Sequence, residues 1–362
     1  STKVLIASSD LFARMKDCEK LGLKSGKISF NYAAISQRKD KVVTNLRDAV
    51  VQLLKGNRIK IFSGTGSFVS RNKIAISNAT TDQKIEARNT IIATGSEPFI
   101  PDFVPSSKRV VDSRAFLEMT ELPASIIVLG GGIVGCEFAC IAAQFGAEMT
   151  IIKRGDIFVT LDSDIRSQMR RYMEKKLGIR LLTGMGRSLE KIKAGKNSIS
   201  GMFGDERIEA DLMVVSVARQ PVTKDLALEN IGVKMNEAGH IKIDEFCQTN
   251  VATIYAVGDV TGGAQLAHAA TSQGITAAEN ACKQSRKRVE TIIPMCIFTS
   301  PEIGSVGLTE QEAKERSTSV RTGKYMFRAL GKAVATGETE GFVKWVADAE
   351  TDQLLGGHAV GP

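Results

Sequence analysis

Gly130, Gly132 and Gly135 stand at G-x-G-x-x-G spacing directly behind four apolar residues, Ile126 to Leu129. That spacing is suited to binding a pyrophosphate. Gly130 permits a tight turn, Gly132 lets a phosphate approach the backbone, and Gly135 lets the following helix pack closely on the strand. The first N–H groups of that helix lack intrahelical partners and face the phosphates. Gly130, Gly131, Gly132, Ile133, Val134 and Gly135 are therefore candidate nucleotide contacts. After the next apolar strand, Glu148 to Ile152, come Lys153 and Arg154. An NAD-type site carries an acid there for the ribose 2′-hydroxyl, whereas two cations suit a 2′-phosphate, so NAD and NADP both stay open.

Other stretches also hold candidate chemistry. Thr94-Gly95-Ser96 closes an apolar strand from Thr90, and a glycine at a strand end permits close approach of a ligand to the backbone. Asp259 follows the strand from Ile254 and suits a sugar hydroxyl. Gln265-Leu266-Ala267-His268 opens a helix whose N-terminus suits partial negative charge. Gly64 and Gly66 begin like another phosphate loop, but Val69 occupies the third glycine position. Cys136 and Cys140 lie on the glycine-loop helix and read as small residues packing on the sheet. The cysteines at 18, 136, 140, 247, 282 and 296 have neither metal-ligand spacing nor a secreted disulfide pattern. No metal is expected, and the compartment reads as reducing and cytoplasm-like.

A chain of 362 residues is long enough for two or three domains, and its 43% hydrophobic and 24% charged content is that of a globular protein. The net charge of +8 is spread along the chain. Local basic clusters occur only at Arg170-Arg171 with Lys175-Lys176 and at Lys283 to Arg288, neither interleaved with aromatics, so nucleic acid is not an expected partner. Ser125 to Ala147 approaches the length of a membrane span, but Glu137, Gln144 and five glycines argue against one. No signal peptide pattern opens the chain at Ser1.

The elements expected to position these residues begin with a helix over Lys3 to Leu21, with Val4, Leu11, Phe12, Met15 and Cys18 on one side and Gly22 as its stop. A basic helix over Asn31 to Leu54 turns Ile35, Val42, Leu46, Val50 and Leu53 inward. Short strands are expected at 58–62, 73–77, 84–87 and 90–94. The central βαβ region continues, through a three-stranded excursion at about 187–209, to a strand at 211–217. A helix runs from Gln265 to about Cys282. From Pro294 strands are joined by one short helix, which Thr309 and Glu312 cap at S/T-x-x-E spacing.

These pieces, in this order, resemble the flavoprotein pyridine nucleotide-disulfide oxidoreductases, and among them most closely the dihydrolipoamide dehydrogenase family. The likeness runs through Thr2-Lys-Val-Leu, Ala93-Thr-Gly-Ser96, Gly130 to Glu137, Arg219-Gln-Pro-Val-Thr-Lys224, Val257-Gly-Asp259, Gln265 to His268, Thr299-Ser-Pro-Glu302 with Val306-Gly307, and Gly341-Phe-Val-Lys344. It implies an α/β fold with two dinucleotide-binding, Rossmann-like domains, the first incomplete, and a partial α+β dimerisation domain. The implied limits are 1–118 for an FAD domain, 119–250 for an NAD(P) domain, 251–288 for a return segment of the FAD domain, and 289–362 for the interface domain.

By the same resemblance, Lys3, Gly66, Thr94, Gly95, Ser96, Asp259, Gln265, Leu266, Ala267 and His268 would touch FAD. Lys3 would sit near the flavin, paired with Glu137 in a supporting catalytic role, and Glu137 would join the glycines at NAD(P). Lys153 and Arg154, and Ala218 where the family usually has glycine, are candidate NAD(P) contacts at which this sequence departs from the family. Electrons would pass from dihydrolipoamide through a redox disulfide and FAD to NAD, in a homodimer of the cytoplasm or the mitochondrial matrix, with a 2-oxo acid dehydrogenase complex as its candidate partner. The family's C-x-x-x-x-C corresponds to residues just before Thr2-Lys3, and its His-Pro-Thr with Glu to residues beyond Pro362. No catalytic residue of either pair is therefore expected within 1–362, and the chain by itself is expected to be inactive and not to retain FAD. An NADPH-dependent glutathione- or mercuric-reductase type is the alternative enzyme, and a non-catalytic nucleotide-binding, dimerising module is the alternative outside enzymes.

Overall fold

The computed structural model describes residues 1–78, 82–283, 292–316 and 319–362. In chain order the helices are α1 (Thr2–Lys16), α2 (Tyr32–Gly56), α3 (Ser113–Glu118), α4 (Ile133–Phe145), α5 (Ser163–Lys175), α6 (Ala267–Ala281), α7 (Glu310–Arg316) and α8 (Gly331–Thr336). The chain forms two compact units, Ser1–Arg47 with Pro98–Ala218 and Pro294–Pro362, and Asp48–Glu97 with Arg219–Ile293. Packing thus groups the chain differently from the role-based limits at 118, 250 and 288. One reason is that α1 lies on α4, where the Lys16 ammonium donates to the Gln144 carbonyl at 3.1 Å and the Gln144 amide donates to Asp10 at 2.7 Å.

In the first unit a parallel sheet runs in the order Val110–Asp112, Leu212–Val215, Ser125–Leu129, Glu148–Arg154, Arg180–Gly184. Its central strand is apolar from Ile126 to Leu129 because both faces are covered. Side chains alternate along a strand. Ile126 and Val128 accordingly meet Phe138 and Ala142 of α4, and Ile127 and Leu129 meet Leu189, Ile199 and Ile208 of the excursion. The excursion is three antiparallel strands, Glu190–Ala194, Ile199–Phe203 and Glu206–Ala210. An antiparallel sheet of the same unit has the order Met295–Ile297, Glu302–Gly307, Leu354–Gly361, Phe342–Asp348, Val320–Met326. Its α7 opens on the expected capping box: Thr309 N–H donates to the Glu312 carboxylate at 2.9 Å, and Glu312 N–H donates to Thr309 Oγ1 at 3.2 Å. The sequence predicts one short helix here, and the structure has two, the second being α8.

The second unit holds an antiparallel meander, Thr65–Ser70, Lys73–Ser77 and Asp82–Glu86, and a parallel pair, Thr90–Ile92 with Ile254–Ala256. Phe68, Ile92, Leu228, Ile254 and Val260 form its core.

Several expectations are corrected here. Residues 58–62 form no strand; Ile59, Ile61 and Phe62 are 51%, 48% and 43% exposed, and a strand exists only where a neighbour accepts its hydrogen bonds. On α2 the buried residues are Tyr32, Ser36 and Lys39, while Leu46, Val50 and Leu53 face outward. Its periodicity is helical, but among the described residues its buried positions lie in the first turns. α1 buries Leu5, Ile6 and Ser9 against α4 and leaves Leu11 and Met15 exposed, and it ends at Lys16, before a 3-10 turn, Cys18–Leu21, that Gly22 closes at φ 76°. Of the basic cluster at 283–288, all but Lys283 lies outside the described residues, as does part of the boundary at 288.

Candidate nucleotide sites

Local chemistry builds the glycine turn. Gly130 has φ 122°, a left-handed value that favours glycine, and a Cβ on it would lie 2.2 Å from the Ser216 carbonyl oxygen. A Cβ on Gly135 would lie 2.2 Å from the Gly130 carbonyl oxygen, so this glycine is what lets α4 approach the strand. At Gly132, the N-cap of α4, nothing lies within 4 Å of the Cβ position. The open position sits where a phosphate would meet the helix N-terminus, and the residues present fit a dinucleotide pyrophosphate.

Beside the turn is a cavity of about 540 Å³, lined by Leu129, Gly130, Lys153, Arg154 and Val217 together with Ser188 to Ile192 of the excursion and Pro101 and Phe103. The Lys153 stem lies under Gly131, where a Cβ would come within 3.1 Å of it. Neither Lys153 nor Arg154 has an ion-pair partner among the described residues. Ala218 is exposed and lies just beyond Val217 of the cavity wall. Lys3 and Glu137 are brought together as the resemblance implies, 3.7 Å apart, with Glu137 6% exposed. The Glu137 carboxylate also accepts from the Phe298 backbone N–H at 3.0 Å, and the Lys3 ammonium stands 4.1 Å from the Phe298 ring centre. Residue spacing alone gave no sign of Phe298.

The second unit brings Thr94, Gly95, Ser96 and Asp259 to one cavity, with Gly258 and Ala270. Gly95 has φ 72° and open space at its Cβ position. The Ser96 hydroxyl donates to Asp259 Oδ2 at 2.6 Å, and Arg219 donates to Ser96 Oγ and to the Ser96 carbonyl, each at 2.7 Å. Among the described residues the hydrogen bond to this carboxylate is at Oδ2, which leaves Oδ1 to accept from a ligand hydroxyl, so the carboxylate fits a polyhydroxy chain. Arg219 was legible only as part of the stretch 219–224. Gln265, Leu266, Ala267 and His268 lie at the start of α6, with Gln265 at φ 50°. The cavity meets α6 further on, at Ala270 and Thr271. Gly66 lies in the meander strand facing Ile74 and lines neither cavity.

The surroundings of Cys136 and Cys140 disfavour redox chemistry and suit packing. Both are buried and free; burial pushes the Cys140 thiol up to about 12 and raises Cys136 well above its ordinary value. A thiol kept protonated is a poor nucleophile. His358 is buried between Ser305 Oγ at 2.7 Å and the Leu308 carbonyl at 3.0 Å, a structural placement. Among the described residues no group of three His, Cys, Asp or Glu side chains could hold a metal ion.

With its glycine turn, its parallel sheet and its C-terminal antiparallel sheet, the chain belongs to the pyridine nucleotide-disulphide oxidoreductase family, whose model matches residues 6–274 and whose dimerisation-domain model matches residues 293–362. Its relatives include the dihydrolipoyl dehydrogenase of Chlamydia pneumoniae, 37% identical over 361 residues, 100% of this chain and 78% of that one. The dihydrolipoyl dehydrogenase of Bacillus subtilis is 36% identical over 377 residues, covering 100% of this chain and 79% of that one. The fold matches the crystal structure of LpdA from Mycobacterium tuberculosis at a TM-score of 0.91 and 23% identity, over 100% of this chain and 80% of that one. It also matches the HOCl-induced flavoprotein disulfide reductase RclA from Escherichia coli at 0.88 and 24%, over 99% and 79%. The chain is thus a flavin-dependent oxidoreductase of the dihydrolipoyl dehydrogenase type, in a family that uses FAD and NAD.

Proposed function

We propose that this protein oxidises a dithiol of the dihydrolipoamide class, with the Gly130 to Gly135 turn holding the pyridine nucleotide and the Ser96–Asp259 cavity holding part of FAD. FAD when bound supplies two-electron exchange between a thiol pair and a nicotinamide. Asp259 anchors hydroxyls, Arg219 holds Ser96 in place to donate to it, and Lys3 stands beside Glu137. The supporting role of Lys3 and Glu137 rests on that pair. The observation that carries the reading is the open Cβ position at Gly132 between two glycines whose own Cβ positions are blocked by backbone. The dimerisation-domain match favours a homodimer with a disulfide or dithiol substrate, and attachment to a 2-oxo acid dehydrogenase complex belongs to the same proposal. No helix among the described residues is long and apolar enough to cross a membrane, and free thiols suit the cytoplasm or a mitochondrial matrix. NAD reduction by dihydrolipoamide in the natural full-length protein is the expected outcome. Nucleotide binding without turnover would favour the non-catalytic module instead.

A second reading concerns the nucleotide. Lys153 and Arg154 line the cavity with no ion-pair partner among the described residues, which favours acceptance of a 2′-phosphate and hence NADPH beside NADH. Lys153→Glu should shift the NADPH-to-NADH ratio of dissociation constants toward NADH by about 10- to 100-fold, the worth of one charge-assisted hydrogen bond. Titration of both nucleotides measures it; a wild-type chain that binds NADH and not NADPH sinks the idea.

A further inference from the structure

The excursion strand Glu190–Ala194 carries an extra residue. Glu190 stands opposite Met202 and Lys193 opposite Ser200, so two residues, Lys191 and Ile192, face the single Gly201. That is a β-bulge, a device that re-aims a side chain and is common beside functional sites. Lys191 within it has φ 49°, a left-handed conformation that a lysine adopts at a cost glycine would avoid. Gly201 is shaped for the bulge, since a Cβ there would lie 2.7 Å from Leu189 Cγ and 3.1 Å from the Glu190 carbonyl oxygen. Lys191 lines the same cavity as Lys153 and Arg154 and, like them, has no ion-pair partner among the described residues. Glu190 is the one carboxylate on that wall, against three cations.

We propose that Lys191, held left-handed at this bulge, is a specificity residue that contacts the 2′-phosphate of NADP(H) from the excursion side of the cavity. The proposal rests on the reading of Lys153 and Arg154 given above. The bulge lets Leu189 and Ile192 pack on the core while Lys191 between them lines the cavity. A fixed cation facing a dianion strengthens NADPH binding and leaves NADH, which has a hydroxyl there, nearly unaffected.

The test uses the 362-residue chain and titrates it with NADPH, NADH and 2′,5′-ADP, with two variants. Lys191→Gln removes the charge and keeps the strain; Lys191→Gly removes both. Both should weaken NADPH and 2′,5′-ADP by about tenfold, as expected for loss of one charge-assisted contact, and change NADH by less than about twofold. Lys191→Gly should also raise the Tm, an effect opposite to that of deleting a structural contact. Equal weakening of NADH and NADPH, or no change in either, overturns the proposal. If the wild-type chain discriminates and Lys153→Glu reverses its preference while the Lys191 variants change nothing, the role of Lys191 alone falls. If the wild-type chain takes no NADPH at all, the 2′-phosphate reading itself falls.

Discussion

A Gly135→Val chain will fail to bind NADH, with a loss of at least about 100-fold, while its second unit keeps its fold. A Cβ at this position already lies 2.2 Å from the Gly130 carbonyl oxygen and 3.0 Å from Val128 Cγ1, and the first of these is backbone, which cannot swing away. Ordinary contact begins near 3.4 Å, so α4 must move by about an ångström from the strand it covers. Every side chain from Gly135 to Ala142 on α4 is buried, and overpacking such a site costs about 1–3 kcal/mol before the branched side chain is considered. The same movement displaces the helix N-terminus from the pyrophosphate, and a misplacement of this size is enough to lose about 100-fold. NADH titration together with thermal unfolding measures both consequences; binding within threefold of the wild type would show that α4 does not set the site.

Lys344→Met will destabilise the first unit by about 3–5 kcal/mol, because removing one partner of a buried ion pair leaves the other charge uncompensated. Lys344 is 2% exposed, and its ammonium donates to Asp162 at 2.9 and 3.0 Å, with Asp162 1% exposed. It also meets Asp164 at 3.0 Å and Glu310 at 2.7 Å. Asp162 further accepts from the backbone N–H of Asp164 at 3.0 Å and of Glu310 at 3.1 Å, so the start of α5, the start of α7 and the strand Phe342–Asp348 share one set of charges. Lys324, 3.3 Å from Asp164, and Lys314, 2.6 Å from Glu310, complete it. Adding Asp162→Asn, which keeps the helix cap, should recover part of the loss, and denaturant unfolding of the single and double variants is the measurement. A loss below about 1 kcal/mol for the single variant would mean that the carboxylates find water instead.

The sign of the pH dependence follows. Burial works to raise the Asp162 and Asp164 carboxyls, and the Lys344 hydrogen bonds and charge outweigh it, holding both below the usual carboxylate range. Their stabilisation is complete above about pH 4 and is lost as pH falls through the lowered folded values. Burial likewise works to lower the Lys344 ammonium, and the surrounding carboxylates hold it above its ordinary value. That contribution is complete below about pH 10 and is lost only as pH rises beyond it. Lys344→Met removes the cause of the lowered acids, so its acid unfolding should begin at higher pH than that of the wild type.

The amino-acid sequence by itself determined whatever depends on a few neighbouring residues. The glycine turn, the apolar strand before it, the excursion hairpins and the Thr309–Glu312 cap follow from turn chemistry, period and capping within a short window, and each stands where it was expected. Cys136 and Cys140 were readable as packing residues because their helix was readable. Tertiary structure alone decided which partner each element meets. Residues 58–62 have the pattern of a strand and, among the described residues, no neighbour to pair with, and Leu46, Val50 and Leu53 have helical spacing and no described surface to cover them. Lys344 was legible as part of a family stretch, yet its partners lie up to 182 residues away and no local rule joins them. The wall at 188–192 and the strain at Lys191 arise in the same way, from one strand laid across another. Backbone propensity acts over a few residues, whereas burial and charge pairing act between surfaces that only the fold brings together.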